Sequence, residues 1–198
     1  MKFQEGKIIL KKPLTELDEF AISIIKIICR HAKYAVVSGY VAILLGRSRV
    51  SEDIDLFIEE ISFKKFKQLF SDLEKNEFWF VNGDDATELY SILKDNSSIR
   101  IAVHGRGVPN VEIKFPSEET DFYSLNNTFR IILGKNEIIA GSLELNIAYK
   151  LRLGSQKDIE DAIHMFEVSK EHLNMETLSY FIKKLKMENR AAEHLWKK

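Results

Sequence analysis

"YAVVSGYVAILLGRSRVSEDIDLFIEE", residues 34–60, is the stretch whose reading decides the fold. Tyr34 to Val37 reads as a short buried strand, and Gly39 to Leu45 as a short helix that Gly46 stops. Asp53 to Glu59 then reads as a second strand. Aspartate is a poor strand former, whereas Ile54, Leu56, Phe57 and Ile58 around it are good ones. Residues two apart on a strand project from the same face, so Asp53 and Asp55 share one side. Close carboxylates repel, and burial disfavours their charged form. A divalent cation removes that conflict. Mg²⁺ suits the site, because it is commonly held by one or two carboxylates with phosphates and water completing its shell.

Upstream, Ser38-Gly39 sits where a strand turns into a helix. Small residues there let backbone approach a ligand, and helix N-terminal N–H groups bind phosphate. A strand, a small turn, a helix and an acidic pair on the next strand together suit a nucleoside triphosphate, with metal-assisted phosphoryl or nucleotidyl transfer as the chemistry. The plain alternative is a solvated edge strand and an ordinary tight turn.

Working outward, Thr15 is a candidate cap for a helix through about Ala32, with Phe20, Ala21, Ile24, Ile25 and Ile28 on one face. Phe63, Phe66, Leu69, Phe70 and Leu73 mark an amphipathic helix. Glu77 to Val81 reads as a strand, followed by an Asn82-Gly83 turn and a helix near Ala86 to Leu93. Ser98 to Val103 and Asn110 to Phe115 form a predicted hairpin around "HGRGVP", and Thr128 to Leu133 with Glu137 to Ala140 a second. From Ser142 the pattern is helical: Leu143 to Leu153, a segment from about Ser155, and one carrying Leu178, Phe181, Ile182 and Leu185. The expectation is an α/β (α+β) chain: residues 1–140 as a mixed sheet with flanking helices and 141–198 as a helical region, the two able to pack as one unit.

Composition sets bounds. The 198 residues are enough for a sizeable core, and 45% hydrophobic with 30% charged residues is ordinary for a globular protein. A net charge of -1 argues against a surface built as a whole to wrap nucleic acid. One cysteine, Cys29, excludes an internal disulfide framework and a thiolate zinc site. The five histidines lie apart, without metal-ligand spacing. The N-terminus lacks the pattern of a signal peptide, and no apolar run reaches the ~18 residues of a membrane span, so a cytoplasmic location is expected.

"VVSGYVAILLGRSRVSEDIDLFI" resembles the signature of nucleotidyltransferases of the DNA polymerase β superfamily, a Gly-Gly or Gly-Ser pair followed by an acidic-x-acidic strand. Here 13 residues lie between Gly39 and Asp53, at the long end of that spacing. Within the superfamily the chain is most similar to the AbiEii-like group, toxins of toxin–antitoxin systems. The likeness continues in "SLELNIAYKLRLGSQKDIEDAIHMFE" and spans roughly residues 34 to 170. Ser38 departs from the usual glycine. Serine fits there if it keeps a negative φ, and its hydroxyl could then donate to a phosphate oxygen.

The resemblance implies Mg²⁺, with a two-metal site in prospect, and a nucleoside triphosphate as substrate. It further implies an RNA or protein acceptor and an antitoxin protein as partner. Asp53 and Asp55 would hold metal, Ser38 and Gly39 would cradle phosphates, and a third carboxylate on a neighbouring strand would complete the metal set. Glu112 in "NVEIKF" is the leading candidate, although it could simply alternate outward between Val111 and Ile113. Glu118 and Glu119 follow Pro116 in a predicted loop and are weaker. Lys150 is assigned to the triphosphate by the resemblance, and snorkelling is its plain alternative. Asp158 is preferred over Asp161 because Lys157-Asp158 matches the motif, though acidic residues early in a helix need no function. Arg49 and Ser51 are within reach of a phosphate. The basic tail, with Lys183, Lys184, Lys186, Arg190, Lys197 and Lys198, offers RNA contacts or a solvated helix face. A non-catalytic nucleotide- or partner-binding module and a small-molecule nucleotidyltransferase stay open as rivals.

Overall fold

Thr15 and Asp18 open the first helix by satisfying each other. Thr15 Oγ1 accepts from the Asp18 N–H at 3.2 Å, and Asp18 Oδ2 accepts from the Thr15 N–H at 2.9 Å. This reciprocal cap starts α1 (Glu16–Ile28), which ends a turn before the expected Ala32. The computed structural model describes residues 1–196. A short hairpin, β1 (Lys2–Gln4) and β2 (Lys7–Leu10), precedes α1. After α1 come β3 (Tyr34–Val37), α2 (Gly39–Leu44), β4 (Asp53–Ile58), α3 (Phe63–Lys75), β5 (Phe78–Phe80) and α4 (Ala86–Lys94). The chain continues through β6 (Ile99–Val103), β7 (Asn110–Lys114), α5 (Glu119–Asn126), β8 (Thr128–Leu133) and β9 (Asn136–Gly141). Four helices follow: α6 (Leu143–Leu153), α7 (Gln156–Ser169), α8 (Met175–Lys184) and α9 (Glu188–His194).

The strands form one mixed sheet in the order β1-β2-β8-β9-β3-β4-β7-β6-β5. Both expected hairpins are present, β6 with β7 and β8 with β9. Two features were not expected. In the β1–β2 hairpin, Ile8 and Leu10 are buried while β2 runs parallel to β8. Helix α5 replaces the loop expected after Pro116: Asp121 Oδ2 accepts from the N–H groups of Ser117 and Glu118 at 3.1 and 3.2 Å, so capping rather than apolar periodicity starts it. Helix α9, with Ala191 buried, lies within the region expected to be helical. No helix among the described residues is long and apolar enough to cross a membrane.

Strand β4 explains how the site is placed. Ile54, Leu56 and Ile58 are buried on one face, while Asp53, Asp55 and Phe57 alternate onto the other. Helix α5 packs against β3 and β4 and, with α6, borders a cavity that Asp55 and Phe57 also line. The buried apolar side chains form one cluster, from Ile8 in β2 to Leu195 just beyond α9.

Asp18 ties the fold's early elements together. Its buried carboxylate accepts from Lys12 Nζ at 2.5 Å, Thr15 Oγ1 at 2.8 Å and the Tyr40 hydroxyl of α2 at 2.9 Å. Burial opposes its charge, but these donors outweigh burial and hold its pKa below the usual aspartate value. The resulting stability is present above the unfolded pKa of ~3.9 and is lost as pH falls through the lowered folded value. Asp18→Ala is expected to cost about 2–3 kcal/mol at neutral pH in urea denaturation, with the difference shrinking in acid.

Candidate functional site

Strand register brings the acidic residues together. In β4 and β7, which run parallel, Asp55 lies opposite Glu112 and Asp53 opposite Asn110. On the other side, antiparallel β3 puts Val37 opposite Asp55, so the turn after β3 starts beside that carboxylate. Asp53, Asp55 and Glu112 therefore share one face of the sheet. Asp55 has its pKa raised. Burial is the main cause, the Glu112 carboxylate comes next and Asp53 adds to it, while the Ser38 hydroxyl and the Lys150 ammonium pull the other way. Asp53 is exposed and accepts from Asn110 Nδ2 at 2.8 Å, and Asn110 Oδ1 is buried without a hydrogen-bond partner. Glu112 accepts from the Ser98 hydroxyl and lies 3.8 Å from Arg100 Nε.

Ser38, Asp55, Glu112 and Lys150 border one cavity of about 370 Å³ between the sheet and helices α5 and α6. Glu118, the residue before α5, and Asp121 also line it. Asp53, Arg49 and Ser51 are outside that wall. Ser51 Oγ donates to the Asp53 carbonyl at 3.1 Å. Among the described residues, no three His, Cys, Asp or Glu side chains close into a metal cage. The donor set nevertheless fits a hard cation that takes two carboxylates and completes its shell with phosphate and water. The charge conflict at Asp55 is of the kind such a cation relieves.

The turn does not meet the condition under which serine fits comfortably. Ser38 has φ 64° and ψ −136°, a positive φ in place of the negative one a serine prefers, at a typical cost of ~1–3 kcal/mol. Its N–H donates to Asn146 Oδ1 of α6 at 2.7 Å. Gly39 has a separate reason to lack a side chain: a Cβ there would lie 2.1 Å from Arg49 Nη2. Arg49 is held by two hydrogen bonds to Asp161, from Nε and Nη2, each 3.0 Å.

Asp161, which the sequence placed behind Asp158, has its own set of partners. It is fully buried in α7 and meets Arg49 on one side and Lys150 Nζ at 3.3 Å on the other. Arg47 Nε lies 3.7 Å from it. Asp158 takes Lys150 Nζ at 2.6 Å and the Ser155 hydroxyl at 2.6 Å. Burial pushes Asp158 up, but Lys150 and Ser155 bring its pKa below the usual value. Asn146 was not singled out. Helical spacing held both signals: Asp161 is three residues after Asp158, and Asn146 four before Lys150.

Part of the basic tail serves the fold. Arg190 Nη1 donates to the carbonyls of Leu151 and Arg152 at 2.5 and 3.2 Å, beside Gly154 at the end of α6. Lys184 pairs with Glu119 at 2.5 Å. Lys197 and Lys198 lie outside the described residues.

Two outcomes follow. Gly39→Ala is expected to push Arg49 off Asp161 and cost about 2–4 kcal/mol in urea denaturation, and to be nearly neutral in an Arg49→Ala background. For Asp55 the folded pKa is raised, so its contribution to stability is present below the unfolded value of ~3.9 and lost as pH rises through the folded one. Asp55→Asn is therefore expected to raise the thermal midpoint of the metal-free protein at pH 7, and to change it little near pH 3.

No family model matches the chain, and no curated protein matches it. Solved structures do. An antigenic nucleotidyltransferase-like protein from Paracoccidioides brasiliensis is similar at TM-score 0.53 and 20% identity, over 89% of this chain and 90% of that one. The solution structure of the antibiotic-resistance factor ANT(2'')-Ia is similar at TM-score 0.54 and 15% identity, over 89% and 97%. A crystal structure of ANT(2'')-Ia in complex with adenylyl-2''-tobramycin matches at TM-score 0.53 and 12% identity, over 85% and 98%. At these identities the likeness is one of fold: the mixed sheet and its flanking helices have the nucleotidyltransferase architecture.

Proposed function

We propose that the chain is a metal-dependent nucleotidyltransferase that moves a nucleoside monophosphate from a triphosphate to an acceptor hydroxyl. The observation that carries this reading is Asp55, set in register with Glu112 on the wall of a cavity and held in a site that disfavours its charge. A carboxylate perturbed by burial together with a neighbouring like charge, set in a cavity wall, is a candidate functional group. The fold shared with ANT(2'')-Ia, one structure of which holds an adenylylated tobramycin, supports the same chemistry.

Asp53 and Asp55 would hold Mg²⁺, with Glu112 the third carboxylate of a two-metal arrangement. When bound, the metal supplies Lewis-acid neutralisation of phosphate charge. The chain's own groups do the rest. Glu112, freed from Ser98, takes the proton of the acceptor hydroxyl as its oxygen bonds to the α-phosphorus and the bond to the leaving pyrophosphate breaks. Lys150, held by Asp158 and Asp161, faces Asp55 and stabilises charge developing on the phosphates. Ser38 presents its hydroxyl beside Asp55. Arg49 supports the turn from Asp161, and Ser51 steadies the start of β4.

The finer assignment, an AbiEii-like toxin with an RNA or protein acceptor and a partner antitoxin, rests on the resemblance of residues 34 to 170 and is an analogy, while a cytoplasmic location rests on the N-terminal pattern and the lack of a long apolar run. A second reading has an observation of its own. The Ser38 N–H and the Glu112 carboxylate both have partners within the protein, as a nucleotide-binding module without turnover would tolerate.

Incubation with Mg²⁺, each α-labelled nucleoside triphosphate, and total tRNA or cell extract tests the proposal. Label transfer is expected, abolished by EDTA and reduced by at least ~10²–10³-fold in Asp55→Ala. Nucleotide binding by calorimetry without transfer would establish the module instead. No transfer under any combination, with wild type and Asp55→Ala alike, would sink the enzyme reading.

A further inference from the structure

Ser38 holds a backbone conformation that glycine adopts freely and that a Cβ resists. Some contact must keep it there. Its N–H donates to Asn146 Oδ1 at 2.7 Å, and the Asn146 amide has little freedom to turn away. Nδ2 of that amide donates to the carbonyls of Gly141 and Ser142 at 2.9 Å each, and the residue is 4% exposed. Three hydrogen bonds fix both the place of the amide and which end faces Ser38. Asn146 thereby joins the end of β9, the first turn of α6 and the turn between β3 and α2. One helical turn further on, Lys150 leaves the same face of α6 and lines the cavity that Ser38 and Asp55 also line.

We propose, on the nucleotidyl-transfer reading above, that Asn146 is a positioning residue: it holds the Ser38-Gly39 turn in its positive-φ form and so sets Ser38 and Asp55 against Lys150. Asn146 acts through these groups and touches no reacting atom. With glycine at position 38 the turn would take its shape unaided. With serine it depends on a side chain 108 residues away. The two positions are therefore coupled, and a defect at one is repaired at the other.

The experiment compares Asn146→Ala, Ser38→Gly and the double variant, using hydrogen exchange at the Ser38 amide, thermal melting, and label transfer from α-labelled triphosphates with Mg²⁺. In wild type the Ser38 amide is expected to exchange slowly, and in Asn146→Ala quickly. Asn146→Ala is expected to lower kcat by roughly 10–100-fold with little change in KM for the triphosphate, the mark of misplaced rather than missing contacts. Adding Ser38→Gly is expected to restore most of kcat. If Asn146→Ala fails to fold while the double variant folds, the coupling is shown directly.

A near wild-type kcat in Asn146→Ala, a loss that Ser38→Gly does not relieve, or a double variant that also fails to fold would each overturn the proposal. A wild-type protein that transfers no label would defeat the nucleotidyl-transfer reading. Exchange and melting would in that case still report whether Asn146 holds the turn.

Discussion

A carboxylate beyond the reach of water must have its charge answered by the protein, and Asp161 is in that position. Arg49 meets it with two parallel hydrogen bonds and Lys150 approaches from α6, so one buried group ties together α7, α6 and the loop that leads into β4. Replacing such a network with apolar side chains often leaves a protein as stable, so its value lies in geometry. It holds the guanidinium against the bare Cα of Gly39 and keeps the Lys150 ammonium at the cavity wall. Break one partner and an uncompensated charge is left inside, which is the costly outcome.

The opposite arrangement prevails on β4. Around Asp55 the like charges of Glu112 and Asp53 reinforce the effect of burial, and the Ser38 hydroxyl and Lys150 answer it only in part. One carboxylate is thus over-satisfied and another under-satisfied within the same site. The first is scaffold. The second is left with its charge only partly answered, the kind of position at which a fold gives up stability.

Strand β4 and the turn before it were legible because alternation and turn chemistry act over a few residues, and Asp53, Asp55 and Gly39 stood out for that reason. Helix α5 was not legible: "EETDFYSLNN" has little apolar periodicity, and Asp121 caps it through backbone groups. The β1–β2 hairpin was missed because its strands are only three and four residues long. The pairing of Asp55 with Glu112 is a matter of register between strands far apart in sequence, beyond the reach of local pattern. The positive φ of Ser38 was not legible for a related reason. Its partner Asn146 is distant in sequence, so local preference was overridden by a tertiary contact. The burial of Asp161 follows from the packing of the helices and leaves no local mark in the sequence.

The separations along the chain have a kinetic meaning. Ser38 meets Asn146 across 108 residues, and Arg49 meets Asp161 across 112. Contacts of that span form slowly, because their loop-closure entropy must be met before they contribute anything. The early strands can pair while the later helices are still being made, yet the wall that carries Lys150 cannot close before α7 exists. A nascent chain, or one cut short of Asp161, would therefore carry the acidic strand without the wall that faces it, and whatever that cavity does would begin only once α7 has been made.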